Sequence, residues 1–243
     1  GFRFVGLDSG LVGHWTFDET NGSVAHDASG NDHNGTLTNY AVSGTSWTAG
    51  KVGDALSFDG ANDYVDLGTS LGNNLGDVTF SAWIYRKGSN TVFGEIVAKE
   101  NVFSFSVRNG DNKLNLNFAN GSSWGGSTST ISGSTIPMNQ WVHVAGTRSG
   151  STVKVYLNGV LEGTATNSLT GSNAKTTGVG HKPTSPFYFN GLLDDVRIYD
   201  RALVGAEIQQ LHLAAPPDFK LSHASLAENQ AAGTFVGEFN ATD

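Results

Sequence analysis

Asp194 and Asp195 stand side by side inside the apolar run 192–199. The run is too short and too rich in branched residues for a lone helix, so it predicts a buried strand in the middle of a sheet. A buried carboxylate is costly unless a positive charge compensates it. The pair therefore indicates either a metal ion or an arginine, such as Arg197, beside the strand.

Two polar turns near the start of the chain are rich in oxygen ligands. They cover residues 18–22 (DETNG) and residues 27–32 (DASGND). Ca²⁺ takes several oxygen ligands from carboxylates, amides and backbone carbonyls, and such turns supply these ligands readily. The alternative is that Asp18 and Asp27 bond their own backbone as turn formers, while Asp194 pairs with an arginine.

A polar sheet face is predicted by strand alternation over residues 103–108 and 114–118, where apolar and polar side chains alternate. We group Tyr85 with this face and place Trp124 beside it, in the Gly/Ser-rich loop 120–134. An aromatic platform next to amides and a guanidinium is typical of a carbohydrate site, although a solvated face with one exposed Trp is the alternative. The predicted ligand-binding residues are Tyr85, Arg108, Asn115, Asn117, Trp124 and His181.

Catalysis has less support in the sequence. Glu95 and Glu100 are five residues apart, so on an extended strand we expect them to point to opposite faces, where they cannot flank one glycosidic bond. His14, His143 and His181 have no serine or cysteine nucleophile motif around them. Packing for His143 and a loop contact for His181 are the expected roles.

Composition narrows the class of protein further. The chain of 243 residues has 32 glycines, 15% charged residues and no cysteine, which favours one all-β domain without disulfides or thiolate zinc sites. A net charge of −8 argues against nucleic acid as a partner. No apolar run reaches membrane-spanning length, so we expect no membrane insertion.

Seven segments, in this order, resemble the laminin-G-like, concanavalin A-like jelly-roll domains of secreted proteins. They are WTFDETNG (15–22), DASGNDHNG (27–35), GDALSFDGANDYVDL (53–67), VTFSAWIY (78–85), QWVHVAG (140–146), VKVYLNG (153–159) and DDVRIY (194–199). The resemblance implies a two-sheet antiparallel β-sandwich, with a short C-terminal helix after Arg201. It also implies a Ca²⁺ site between the first turns and the last strand. The metal ligands implied in this way are Asp18, Asn21, Gly22, Asp27 and Asp194.

The register of the sequence changes at Pro216-Pro217. Residues 219–243 resemble the first strands of a cadherin-like domain, in the short motifs AEN (227–229), GTFV (233–236) and ATD (241–243). We therefore predict a jelly-roll domain over 1–215, and a linker with a partial cadherin-like segment over 216–243. The parent would be a modular bacterial protein, with neighbouring modules of the same chain as possible partners.

These observations predict a non-catalytic module that binds a polysaccharide or glycan and is stabilised by calcium. We expect it to belong to an extracellular or cell-surface protein. Two alternatives remain open. One is a protein-binding adhesion module, and the other is a jelly-roll glycosidase or polysaccharide lyase.

Overall fold

The computed structural model describes residues 6–40, 46–88 and 93–214, together with the backbone of 219–221 and 239–241. Two antiparallel sheets of eight strands each form a sandwich, which confirms the predicted all-β fold. The back sheet contains, in spatial order, β14 (Val160–Thr166), β13 (Thr152–Leu157), β12 (Trp141–Ser149), β7 (Val78–Arg86), β16 (Asn190–Tyr199), β5 (Asp54–Asp59) and β4 (Trp47–Ala49), with β1 (Leu11–Trp15) also against β16. The front sheet contains β11 (Thr130–Thr135), β10 (Lys113–Phe118), β9 (Phe103–Arg108), β8 (Phe93–Lys99), β15 (Thr177–Val179), β6 (Tyr64–Asp66), β3 (Gly35–Thr38) and β2 (Val24–Ala25).

The main core lies between the two sheets. Alternation along β7 sends Phe80 and its apolar neighbours inward, where its ring stacks on Phe103 and Phe105 of the front sheet, at centroid distances of 4.7 and 5.9 Å. Burying a large apolar side chain contributes about 1.5–3 kcal/mol, so this layer supplies much of the folding free energy.

β16 occupies the centre of the back sheet, as predicted. One edge pairs with β7, while the other pairs first with β5 and then with β1. The register shifts between Asp194 and Arg197, and Asp195 has a positive φ of 53°. The chemically unusual aspartates therefore lie where β16 changes partner.

The helix α1 (Gly205–Leu213) packs on the outer face of the back sheet. Its buried residues Ile208 and Leu211 contact a small apolar cluster that includes Tyr156 and Tyr199. The predicted short C-terminal helix is thus confirmed.

The turn 59–63 lies between two short apolar segments, a pattern that predicts a hairpin over residues 55–67, but this prediction is wrong. β5 pairs within the back sheet and β6 within the front sheet, so the chain crosses the sandwich between them. Asp59 Oδ1 accepts the N–H groups of Ala61 and Asn62, at 2.8 and 3.1 Å, and this turn redirects the chain. A turn sequence alone does not distinguish a hairpin from a change of sheet.

β17 (Phe219–Leu221) and β18 (Phe239–Ala241) pair with each other, and their described backbone pairs with neither main sheet. The motifs 227–229 and 233–236 lie outside the described residues. The boundary at residue 215 and the cadherin-like resemblance therefore stay predictions. Within the described residues, no helix has the length and apolar character needed to cross a membrane.

Candidate functional site

Four polar side chains on the outer face of the front sheet form a continuous chain of hydrogen bonds. The amide of Asn115 donates to Ser106 Oγ (3.1 Å), which lies 3.1 Å from Ser104 Oγ. Ser104 Oγ donates in turn to Glu95 Oε2 (2.7 Å). The four residues lie on β8, β9 and β10 at positions whose strand neighbours point into the core. We call this set the polar chain.

The polar chain is buried, with Glu95 fully enclosed. Its two terminal acceptors, Glu95 Oε1 and Asn115 Oδ1, have no hydrogen-bond donor among the described residues. Burial raises the pKa of Glu95 to about 7, although the charge of Lys182 and the Ser104 hydroxyl oppose that rise. An unpaired buried acceptor costs about 1–3 kcal/mol, so the two ends of the polar chain are its energetically costly positions.

Lys182 covers the acidic end of the polar chain. Its ammonium lies 3.6 Å from Glu95 Oε1, which makes an ion pair longer than a hydrogen bond. The same nitrogen lies 4.5, 4.8 and 5.7 Å from the ring centroids of Phe187, Trp124 and Phe93. We call these three rings the aromatic cage. Cations within about 6 Å of such rings are attracted by their electron-rich faces.

Glu100 joins the two loops that carry most of the cage. Trp124 Nε1 donates to Glu100 Oε1 (3.0 Å), and Ser185 Oγ donates to Glu100 Oε2 (2.9 Å). The Trp124 ring is therefore partly buried and fixed, and Lys182 lies over it. It is not the freely exposed platform that the sequence alone predicts.

The expectation that Glu95 and Glu100 point to opposite sides is wrong. β8 has a register shift between Glu95 and Val97, which breaks simple alternation. Both carboxylates consequently face the loops above the front sheet, and the charge of Glu100 contributes to the raised pKa of Glu95.

His181 lies at the border of this face, next to Lys182. Its ring stacks on Tyr188 at 4.4 Å and contacts Tyr64 at 4.9 Å. Burial lowers the pKa of His181 to about 4, so the imidazole is neutral at physiological pH. The expected loop contact is thus observed.

The structure brings together most of the predicted ligand-binding residues. Arg108 and Asn117 flank Asn115 on the front sheet, with Arg108 partly exposed and 3.5 Å from Asp111. Asn117 donates to Ser127 Oγ (3.2 Å) in the loop of Trp124.

Tyr85 does not join this group, which corrects the predicted face. It lies on β7 in the back sheet, on the opposite outer surface, and contacts the Trp141 ring at 5.5 Å. Alternation gives the face of a strand within its own sheet, but it does not tell which of two sheets the strand joins.

Asp194 presents the clearest electrostatic anomaly of the back sheet. It is fully buried, and its Oδ2 accepts the backbone N–H groups of Lys51 (2.7 Å) and Val52 (2.8 Å). Its Oδ1 has no hydrogen-bond partner among the described residues. Burial raises the pKa of Asp194 to about 7, and the charges of Asp195 and Asp18 add to the rise.

Arg197 forms its ion pair with Asp195 and not with Asp194, a choice that the sequence left open. Arg197 Nη1 lies 2.6 Å from Asp195 Oδ2, and His14 Nε2 lies 2.5 Å from Oδ1. Burial alone would raise the pKa of Asp195, but its bonds to His14 and Arg197 lower it. Among the described residues no ion pair of this kind is found for Asp194.

Asp18 approaches the same turn as Asp194. Its Oδ1 accepts the N–H of Asp54 (2.8 Å), and a Cβ on Gly53 would collide with that oxygen. Asp18 and Asp194 therefore both accept hydrogen bonds from the backbone of the 50–54 turn. Asn21 and Gly22 follow Asp18 in an exposed loop.

Asp27 has a different environment. Its Oδ1 accepts the N–H groups of His14 and Ser29 (both 2.9 Å), and its Oδ2 accepts the Ser29 hydroxyl (2.8 Å) and the His33 N–H (3.0 Å). Burial tends to raise the pKa of Asp27, but these bonds together lower it. The geometry is that of a turn former.

Within the described residues, no group of three or more His, Cys, Asp or Glu side chains is arranged to hold a metal ion. Asp18 and Asp194 nevertheless bring two carboxylates to the 50–54 turn, and Asp194 Oδ1 has no hydrogen-bond partner among the described residues. Carboxylate oxygens are the ligands that a hard cation prefers. Backbone carbonyls or water would have to complete its coordination.

Lys182 belongs to this face, although the sequence did not reveal it. Phe187 follows it by five residues, but Phe93 and Trp124 come from distant segments. Only the folded chain shows the four together.

A protein-family model and several solved structures are similar to this chain. The Laminin_G_3 family model, described as the concanavalin A-like lectin/glucanases superfamily, matches residues 59–209. No curated protein matches the chain.

Three solved structures are informative. Domain 4 of AbnA, a GH43 extracellular arabinanase from Geobacillus stearothermophilus in complex with arabinotriose, is 25% identical with a TM-score of 0.67, over 83% of this chain and 98% of that one. The binding domain of Paraclostridial Mosquitocidal Protein 1 (18% identity, TM-score 0.66) is matched over 86% of this chain and 53% of its own length. Trypanosoma rangeli sialidase (17%, TM-score 0.61) is matched over 84% and 33%. The last two show the fold alone.

Proposed function

Because the chain belongs to the concanavalin A-like lectin/glucanases superfamily, we propose that it is a non-catalytic carbohydrate-binding module of a secreted or cell-surface protein. The observation that carries the proposal is the polar chain beside the aromatic cage on one sheet face. The arabinanase domain, which is similar over nearly its whole length and whose structure contains arabinotriose, supports a glycan as the ligand.

The chemistry of this face suits a sugar. Hydroxyl groups need acceptors and planar donors, which the partly exposed Asn117 and Arg108 supply beside the buried Asn115. The apolar face of a pyranose or furanose packs on an aromatic ring, here the exposed part of Trp124. His181 borders the same surface as a neutral donor or acceptor.

A non-catalytic role is supported by the state of the carboxylates. Glu95 is paired with Lys182, and both oxygens of Glu100 accept hydrogen bonds from the two loops. A glycosidase needs one carboxyl group to donate a proton and a second one to act as nucleophile or base, both reaching the substrate. Neither glutamate is placed in that way.

Calcium is the second part of the proposal. Asp194 and Asp18 would hold Ca²⁺ at the 50–54 turn, with Asn21 and Gly22 as further oxygen donors. The ion would compensate the charge that makes Asp194 costly to bury.

The experiment is a glycan array followed by titration calorimetry, with and without Ca²⁺. We expect Trp124→Ala to weaken glycan binding by more than about tenfold, since aromatic anchors commonly contribute about 2 kcal/mol. Trp124→Phe keeps a ring and should lose less.

Unchanged binding in Trp124→Ala, in a folded protein, would remove this residue from the site. Release of reducing or unsaturated ends by the wild type would overturn the non-catalytic assignment.

A further inference from the structure

The ammonium group of Lys182 occupies a compartment built from three separate parts of the chain. Phe93 comes from β8, Trp124 from the β10–β11 loop, and Phe187 from the loop before β16. Lys182 is only 6% exposed, so its ammonium group contacts this compartment more than it contacts water. The aromatic cage is therefore complementary to a positive charge.

Lys182 does not satisfy the compartment fully. At 3.6 Å its contact with Glu95 Oε1 is long for a hydrogen bond, and Asn115 Oδ1 at the other end of the polar chain has no donor among the described residues. An ammonium group carries three N–H donors, so one that approaches Glu95 more closely than Lys182 does would form shorter hydrogen bonds to its carboxylate.

The loop that holds Lys182 is fixed by its own backbone bonds and by Glu100. Lys182 N–H donates to Phe187 O (3.4 Å), Ser185 N–H donates to Lys182 O (3.1 Å), and Ser185 Oγ donates to Glu100 Oε2 (2.9 Å). The Lys182 side chain itself is held by its ion pair with Glu95 and by the three rings, so a change of its rotamer is enough to vacate the cage while the loop stays in place.

We propose that the aromatic cage with Glu95 is a subsite for a protonated amino group of the glycan, and that Lys182 is an internal occupant which the ligand displaces. The inference rests on the proposed carbohydrate binding and narrows it to glycans with free amino sugars, such as glucosamine with an unacetylated nitrogen. An N-acetyl group has no charge for the cage and the carboxylate to attract.

One further feature favours an amino sugar over a lysine side chain of a protein partner. Polar groups for hydroxyl contacts continue beside the cage, at the partly exposed Arg108 and Asn117. The net charge of −8 attracts a cationic ligand of either kind towards the domain.

The test is titration calorimetry at neutral pH with a glucosamine tetramer, its fully N-acetylated counterpart and a lysine-containing peptide. We expect the wild type to bind the glucosamine tetramer more than about tenfold tighter than the acetylated one. Glu95→Gln should remove that preference while it preserves the shape of the site.

The decisive variants are at Lys182. Lys182→Ala empties the cage and should tighten binding of the glucosamine tetramer by about tenfold. Lys182→Met keeps the cage filled without the charge, and should not produce this gain. Thermal unfolding of each variant checks that the fold is kept.

Equal affinity for the two tetramers, or weaker binding by Lys182→Ala, overturns the inference while carbohydrate binding itself stands. Binding of the peptide in place of the glucosamine tetramer also overturns it. A wild type that binds no glycan of any class ends the proposed function as well.

Discussion

At the scale of residues, two adjacent aspartates of one strand have opposite electrostatics. Burial raises the pKa of Asp194 to about 7, whereas His14 and Arg197 lower that of Asp195 against the effect of burial. The positive φ of Asp195 interrupts the regular strand, so the carboxylates of Asp194 and Asp195 reach different partners. One aspartate is thus neutralised by the protein itself, and the other is left for a metal or a proton.

Calcium should raise the melting temperature of the wild type but not that of Asp194→Asn, because a ligand that binds only the folded state stabilises it. Differential scanning calorimetry in excess EDTA and in excess CaCl₂ measures this shift. Asp27→Asn is the informative comparison: it should melt earlier, yet keep its calcium response if Asp27 is only a turn former. A wild type indifferent to EDTA would contradict the calcium site.

The same carboxyl group predicts a pH dependence. The pKa of Asp194 rises from 3.8 to about 7 on folding, so the metal-free folded protein retains a proton that the unfolded chain releases. Its contribution to stability is complete below pH 3.8 and is lost as the pH rises through about 7. Calcium needs the ionised form, so calcium affinity should increase over that range in isothermal titrations. A flat profile would exclude Asp194 as a ligand.

His143 should produce the opposite trend. It is buried against Ser81, whose hydroxyl lies 2.9 Å from Nε2, and burial lowers its pKa from 6.5 to about 3. The unfolded chain binds a proton that the folded one excludes, so stability falls as the pH drops from 6.5 towards 3. Urea unfolding over this range should show a shallower loss in His143→Gln than in the wild type. Parallel curves would argue against the assignment.

At the scale of elements, the 50–54 turn links the loop after β1 to β16, the last strand of the sandwich. Asp18 bonds its backbone at Asp54, and Asp194 bonds it at Lys51 and Val52. A short turn between β4 and β5 therefore fixes two distant carboxylates. The turn depends on Gly53, whose φ is 75°.

Gly53→Ala should reduce both stability and calcium affinity, because a Cβ would add a clash with Asp18 to the cost of a left-handed backbone. Gly68→Ala is the matched control: its φ is 74° and no atom lies within 4 Å of the added Cβ. Both variants should lose about 1–2 kcal/mol of folding stability because of the left-handed backbone, and Gly53→Ala should lose more. Chemical denaturation compares them, and equal losses would show that the contact with Asp18 is unimportant.

At the scale of the whole molecule, the two faces of the sandwich have different coverings. The back sheet is covered by α1, while the front sheet is covered by the loops of Trp124 and Lys182. The tail adds to neither sheet within the described residues, since β17 and β18 pair with each other.

A chain ended after Leu213 should therefore melt within a few degrees of the full chain. The last apolar contacts of the domain that the structure describes, at Ile208 and Leu211, remain in this variant. Ending the chain after Val204 removes them and serves as the destabilised comparison. A large loss of melting temperature in the first variant would mean that the tail completes the domain.

The sequence by itself determined the fold class, the central position of β16 and the closing helix. Period-two alternation over 78–85 and 103–108 identifies inward and outward side chains, since each strand has only two faces. It also marked Asp194 as anomalous, because a charge in an apolar strand needs a partner wherever that strand lies.

Only the tertiary structure decided which of these residues meet. Alternation does not assign a strand to one of two sheets, so Tyr85 was grouped with Arg108 although they lie on opposite surfaces. A register shift in β8 changed the relation of Glu95 to Glu100. The irregular register of β16 lets Arg197 pair with Asp195, its neighbour two residues away, and not with Asp194. Lys182 meets Glu95 because a loop far away in the sequence folds over β8.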